Sequence, residues 1–322
     1  MKLRNLRELS SLVVKPIKTA HQGELINIHS LFFKPRYFSE LIRGLTRFHR
    51  PVFSSSVKSA MAQVTYSDLD LRDWQSFVQH FDGHIHAPLT YYNSAGAFCL
   101  FKILAELRIN FSKILHLKAE FELTEPLKTV NPDSVYTVRM ELVDVLPRRM
   151  HCLLVIQSQL LDETGRVVRE HRDFWLVKNC PEARLQGVIP SGQHTAEEFR
   201  GISNRPAEWQ NWAVSTLKKH EHHLHPTAGR HYGRISGDHN LFHTTHWGAR
   251  LCGQKRPFLQ GFGLMNLVLQ QASQVKQEAA SALAITFARP AYVGQTLSFY
   301  FAQETFEICD EQSQLVAFGS YH

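Results

Sequence analysis

Residues 93–107 read NSAGAFCLFKILAEL, and this stretch decides the fold class. Asn93 or Ser94 can cap a helix, and the helix from Ala95 to Leu107 is apolar on nearly every side. A helix with an apolar surface all round must be buried. Four alternating or apolar runs follow, at 115–123, 134–145, 150–161 and 167–177. Asn131-Pro132-Asp133, Pro147-Arg148-Arg149 and Glu163-Thr164-Gly165 separate them, and such clusters break strands. One buried helix followed by several long strands predicts an α+β unit with an antiparallel sheet wrapped on the helix.

The same order recurs further along. A second largely apolar helix spans 261–275, with strands expected at 281–287, 296–306 and 315–321. The repeat shows in element order and spacing, not in residue identity. Two copies of one helix-plus-sheet unit are therefore expected. Four segments follow: a basic, partly helical extension over 1–63, a first unit over 64–180, a linker over 181–228 and a second unit over 229–322. Within the extension, Phe38, Leu41, Ile42, Leu45 and Phe48 have helical spacing. In the first unit Leu71, Trp74, Phe77 and Val78 form an amphipathic stretch. The linker is polar, with one helix expected near Trp209 to Lys218.

The 322 residues are 43% hydrophobic and 20% charged, which excludes a disordered or low-complexity chain. Five scattered cysteines with no C-x-x-C argue against a disulfide framework or a zinc ribbon, and suit a reducing compartment. No uninterrupted apolar run reaches membrane-spanning length, and residues 1–18 start basic without an apolar signal core. A cytoplasmic protein is the expectation. The formal charge of +7 resides in residues 1–60, which hold eleven Lys or Arg and three acids. Such a segment suits an anionic partner or a solvated face. It lacks interleaved aromatics, so nucleic acid is not expected. His220-Glu-His-His-Leu-His225 lies in the linker and reads as a solvated loop without a metal.

The chemistry is concentrated in Tyr232-Gly-Arg-Ile-Ser-Gly-Asp-His-Asn-Leu-Phe-His243. Asp238 and His243 stand five apart around a Ser-Gly-Asp turn. A carboxylate beside an imidazole suits general acid–base catalysis. Asn240 lies between them and can orient either. Pro257-Phe-Leu-Gln-Gly-Phe-Gly263 opens the second apolar helix, where Gly261 can offer a backbone N–H to developing negative charge.

Together these stretches resemble the MaoC-like dehydratases, or (R)-specific enoyl-CoA hydratases. Their signature contains Gly-Asp-x-Asn-Pro-aliphatic-His. Tyr232, Ile235, Ser236, Gly237, Asp238, Asn240, His243 and Ala249 fit it; Leu241 replaces the proline and Phe242 the aliphatic residue. Gln260-Gly261 stands where the family has His-Gly. Phe287-Ala-Arg-Pro290, with Gly294 and Leu297, resembles a later family strand and turn, and Ala87-Pro-Leu-Thr90 resembles the first unit of double-hotdog members. The resemblance implies two fused hotdog units, as a pseudo-dimeric monomer or a homodimer, with the active site in the second only. It implies Asp238, His243 and Gly261 as catalytic residues. Asn240, Ser236, Tyr232, Phe242, Gln260 and Phe262 would contact substrate. The implied reaction is hydration or dehydration of enoyl and 3-hydroxyacyl thioesters, without metal or other cofactor. Coenzyme A or an acyl carrier protein would be part of the substrate. A hotdog thioesterase and a non-catalytic acyl-binding protein are the alternatives; the first unit's helix, with Phe98 and Phe101, is expected to line the acyl tunnel.

Overall fold

The computed structural model describes residues 24–27, 59–65, 93–110, 113–123, 134–148, 150–180, 218–236, 238–277 and 280–322. Strands β1 (Glu24–Asn27) and β2 (Ser59–Thr65) precede helix α1 (Asn93–Glu106). Then come β3 (Ile114–Leu123), β4 (Val135–Arg148), β5 (His151–Leu161) and β6 (Val167–Val177). The second half has β7 (Lys218–His223), α2 (Ala228–Ser236), α3 (Leu241–Thr244), α4 (His246–Leu251) and α5 (Gly261–Lys276). It ends with β8 (Ala282–Phe287), β9 (Thr296–Phe301), β10 (Thr305–Cys309) and β11 (Leu315–Tyr321).

All these strands join one 11-stranded sheet in the order β1-β2-β4-β5-β6-β3-β8-β11-β10-β9-β7. The order shows the duplication. Leaving β1 aside, β2-β4-β5-β6-β3 is mirrored by β7-β9-β10-β11-β8, and the two units meet where β3 pairs antiparallel with β8. Each unit is a strand, then a long helix, then four strands. The alternation in β9 (Thr296–Phe301) buries Leu297, Phe299 and Phe301. Helix α5 buries Leu264, Met265, Leu267, Val268 and Ala272. One buried core runs from Cys99, Ile103 and Leu104 of α1 across the seam to Ile285 of β8.

Four expectations are corrected. The segment over 1–63, expected as a basic, partly helical extension, also holds strands: β1 pairs in parallel with β2, and β2 pairs antiparallel with β4, so part of it belongs to the first unit's sheet. The histidine tract is not a linker loop: Lys218–His223 is the edge strand β7, bonded to β9. The long run 296–306 is two strands, because a tight turn closes with Ala302 N–H donating to the Thr305 carbonyl at 2.9 Å. Strand β4 continues through Pro147 to Arg148, so the expected breaker does not end it. The helices expected over 38–48 and 71–78 lie outside the described residues, as do Ala87 to Thr90 and all of the one expected near Trp209 to Lys218 except Lys218 itself, which begins β7.

At the seam, Ala119 faces Ile285 and Phe121 faces Leu283, all buried. Truncating Ile285 to Ala removes apolar contacts with both units, and such core truncations cost about 2–5 kcal/mol. Denaturant unfolding should show that loss in a single transition monitored from either unit; a loss confined to the second unit would mean that the seam does not couple them.

Candidate active site

Helix α2 leads into the turn that carries Asp238. Ser236 Oγ donates to the Tyr232 carbonyl at 2.8 Å and accepts from Asp238 N–H at 3.2 Å, which fixes the exit from the helix. Asp238 Oδ1 accepts from Asn240 N–H at 3.3 Å. Two glycines let α2 lie against this turn. A Cβ at Gly233 would come within 2.8 Å of the Asp238 carbonyl oxygen, and one at Gly229 within 2.2 Å of the His243 carbonyl oxygen. Any side chain at Gly229 would push the backbones apart.

His243, on α3, is buried, and its Nδ1 donates to the Phe258 carbonyl at 2.8 Å. That bond fixes the tautomer of the neutral ring and leaves the Nε2 lone pair facing Asp238. Nε2 and Asp238 Oδ2 are 3.9 Å apart. This is longer than a hydrogen bond, and leaves both atoms able to hold one water. Burial lowers the imidazole from its ordinary value, outweighing the Asp238 charge and the Phe258 carbonyl, which raise it. The rings of Phe242 and Phe258 pack on His243 at 4.3 and 4.5 Å between centroids.

Gln260 lines a cavity with Asp238 and His243, and its amide nitrogen is engaged within the protein. Nε2 donates to the Gly229 carbonyl at 2.9 Å and to the Asp238 carbonyl at 3.0 Å. It ties the start of α5 to α2 and to the turn that carries Asp238. Tyr232 is buried, and its ring would lie 3.2 Å from a Cβ at Gly263, so it packs α2 on α5. Phe242, Asn240, Phe262, Ser236, Tyr232 and Gln260 line this cavity, of about 370 Å³, together with Asp238, His243 and Gly261. Gly237 lies outside the described residues. The Gly261 N–H precedes the first bond within α5, which runs from Leu264 N–H to the Gln260 carbonyl. Gln260 gives the helix no side-chain cap. The N-terminal amides of α5 are thus unspent on the helix itself.

The cavity is not a property of the second unit alone. Leu100 and Phe101 of α1, Met140 of β4 and Trp175 of β6 line it too. His116 of β3 lies against Gly261: a Cβ there would approach His116 Nδ1 to 2.9 Å and the Phe287 ring to 3.3 Å. His116 Nε2 and His171 Nε2 both donate to Asp173 Oδ1, at 2.8 and 3.0 Å. No short motif marks this cluster in the sequence, because its three residues come from two strands.

Among the described residues, no helix is long and apolar enough to cross a membrane. Two consequences can be measured. Gly261→Ala should fold but force His116 or Phe287 aside, and should weaken any ligand of the cavity by at least tenfold in calorimetry; unchanged binding would show the contact to be slack. His171, His239 and His243 are each lowered mainly by burial. Their unfolded forms bind protons first, so stability should fall as pH drops from the ordinary imidazole value through the lowered ones. The thermal midpoint should decrease from about pH 7.5 to about pH 5.5, and less so in His243→Gln. An equal decrease in the variant would remove His243 from that linkage.

No family model matches the sequence. Solved structures do match in fold. HtdX of Mycobacterium tuberculosis superposes with a TM-score of 0.59 at 14% identity, over 81% of this chain and 98% of its own. A MaoC-like dehydratase from Phytophthora capsici gives 0.54 at 16% identity, over 88% and 98%. A second M. tuberculosis protein, described as having a double hotdog fold, gives 0.52 at 12% identity, over 84% and 96%. With its mirrored strand order and paired long helices, the chain has the double-hotdog fold, which it shares with MaoC-like dehydratases.

Proposed function

We propose that this chain hydrates trans-2-enoyl thioesters to (3R)-hydroxyacyl thioesters, and catalyses the reverse dehydration. The observation that carries the reading is the 3.9 Å separation of His243 Nε2 and Asp238 Oδ2 at a cavity shared with the Gly261 backbone. The fold's occurrence in MaoC-like dehydratases supports it.

In this reading the acyl chain lies among Leu100, Phe101 and Met140, with the thioester carbonyl at the Gly261 N–H. Water sits between Asp238 and His243. Neutral His243 accepts through Nε2, and the pair takes the water proton as the hydroxyl adds to the β-carbon. The electron pair of the double bond moves towards the thioester, and the enolate-like oxygen is stabilised by the N–H at the start of α5. The pair then returns one proton to the α-carbon, ending in the protonation state in which it began. The chemistry calls for no redox group or metal, and the thiol carrier arrives with the substrate. Lys178 and Arg289 line the same cavity and are exposed, which suits an anionic carrier such as coenzyme A or an acyl carrier protein.

Asp238→Asn and His243→Ala should each lower turnover by about 10²–10⁴-fold while leaving the fold intact, because each removes a positioned proton-transfer group. Loss of enoyl-thioester absorbance without release of free thiol is the expected assay signal. Thiol release dependent on Asp238 would identify a thioesterase instead, and tight acyl-thioester binding with no turnover would identify a binding protein.

A further inference from the structure

The first unit brings its own polar cluster to the cavity, and the sequence conceals it. In β3 the run His116-Leu-Lys-Ala-Glu-Phe-Glu122 alternates, so regular pleating would place His116 in one row with Lys118, Glu120 and Glu122. The ladder with β6 slips between His116 and Lys118, leaving Leu117 as the extra residue of a bulge. A bulge re-aims the side chain beside it. Leu117 packs with Leu146, Leu153 and Phe174, while His116 stacks on Trp175 at 4.1 Å and meets Phe262 and Phe287 at the cavity wall.

Asp173 fixes that imidazole. Asp173 is 2% exposed, and one of its carboxyl oxygens accepts from both His116 and His171. Burial alone would raise this carboxyl, but the two imidazoles hold it well below the usual carboxylate range. Since both Nε2 atoms carry hydrogen, the outward Nδ1 of His116 donates when the ring is an imidazolium. The buried carboxylate calls for one compensating positive charge. His171 is fully buried, and burial holds it below the ordinary imidazole value. Of the two rings it is His116 that lines the cavity, so its Nδ1 is the one that can face a bound carbonyl.

We propose that His116 is a catalytic residue supplied by the first unit, donating from Nδ1 to the thioester carbonyl oxygen beside the Gly261 N–H, with Asp173 as its positioning residue. The inference rests on the reading of the cavity as an enoyl-thioester site. It gives the carbonyl two donors, one from each unit, and the proton stays on Nδ1 throughout. It also explains the glycine at 261, since a Cβ there would occupy the space against Nδ1.

A chromophoric 2,4-hexadienoyl-coenzyme A tests this directly, because its absorbance moves to longer wavelength as the carbonyl is polarised. Bound to Asp238→Asn, in which turnover is slowed, it should show such a shift. Adding His116→Gln or Asp173→Asn should shrink the shift by half or more. In the otherwise native chain, His116→Gln should lower kcat by about 10²-fold with little change in KM, the usual consequence of losing one donor to a developing oxyanion. Asp173→Asn keeps the imidazole and carries the test if the first variant does not fold. An unchanged shift and a native kcat in either folded variant would overturn the proposal. Absence of hydration by the native chain would overturn the functional reading instead, and the shift in the bound chromophore would still report on His116.

Discussion

The pairing of β3 with β8 is the constraint on which the rest of the molecule depends. Five residue pairs, from Lys118 with Thr286 to Glu122 with Ala282, turn two half-sheets into one. A sheet edge left open at either strand would expose unpaired backbone groups. Closing the two edges against each other removes both at once. It also sets the two long helices on one continuous core, so the cavity between them has walls from both units. Hydrophobic burial supplies the drive, while the ladder supplies the register.

The polar groups of the cavity are held by short-range bonds, not by the sheet. Gln260 fastens the start of α5 to the Asp238 turn, and the Phe258 carbonyl fixes the His243 ring. Gly229 and Gly233 permit the close approach that makes those bonds possible. On the opposite wall, a buried carboxylate sets the orientation of two imidazoles. Each wall therefore has one acidic group and at least one histidine, but their settings differ. Asp238 and His243 stand apart with room for a water, whereas Asp173 is bonded directly to its partners. The first arrangement suits proton exchange with a small molecule, the second a fixed donor.

Much of this was legible in the sequence where the local pattern and the tertiary environment agree. The two apolar helices stood out because apolar residues dominate them, with Cys99, Ile103 and Leu104 of α1 and Leu264, Met265, Leu267 and Val268 of α5 buried, and the strands of the first unit because their turns carry Pro, Gly, Asn or Asp. Ala302-Gln303-Glu304 contains none of these, so the β9–β10 turn passed as strand. Lys218 to His223 is polar at every position because β7 is an edge strand, and an edge strand needs few apolar residues. Asp238 and His243 were visible because they share one short segment. His116, Asp173 and His171 were not, since they come from two strands and one bulge inverts the expected facing of His116. The structural bonds of Gln260 were hidden for a related reason: its partners lie 22 and 31 residues earlier in the chain.

The central claim is that one acyl-thioester site is built at the seam from both units. A crystal structure of Asp238→Asn soaked with a trans-2-enoyl thioester measures this most directly. The account requires the thioester carbonyl oxygen within hydrogen-bond distance of the Gly261 N–H and His116 Nδ1, with the β-carbon beside His243 Nε2. An acyl group bound outside the cavity, or a carbonyl turned away from the start of α5, would contradict it.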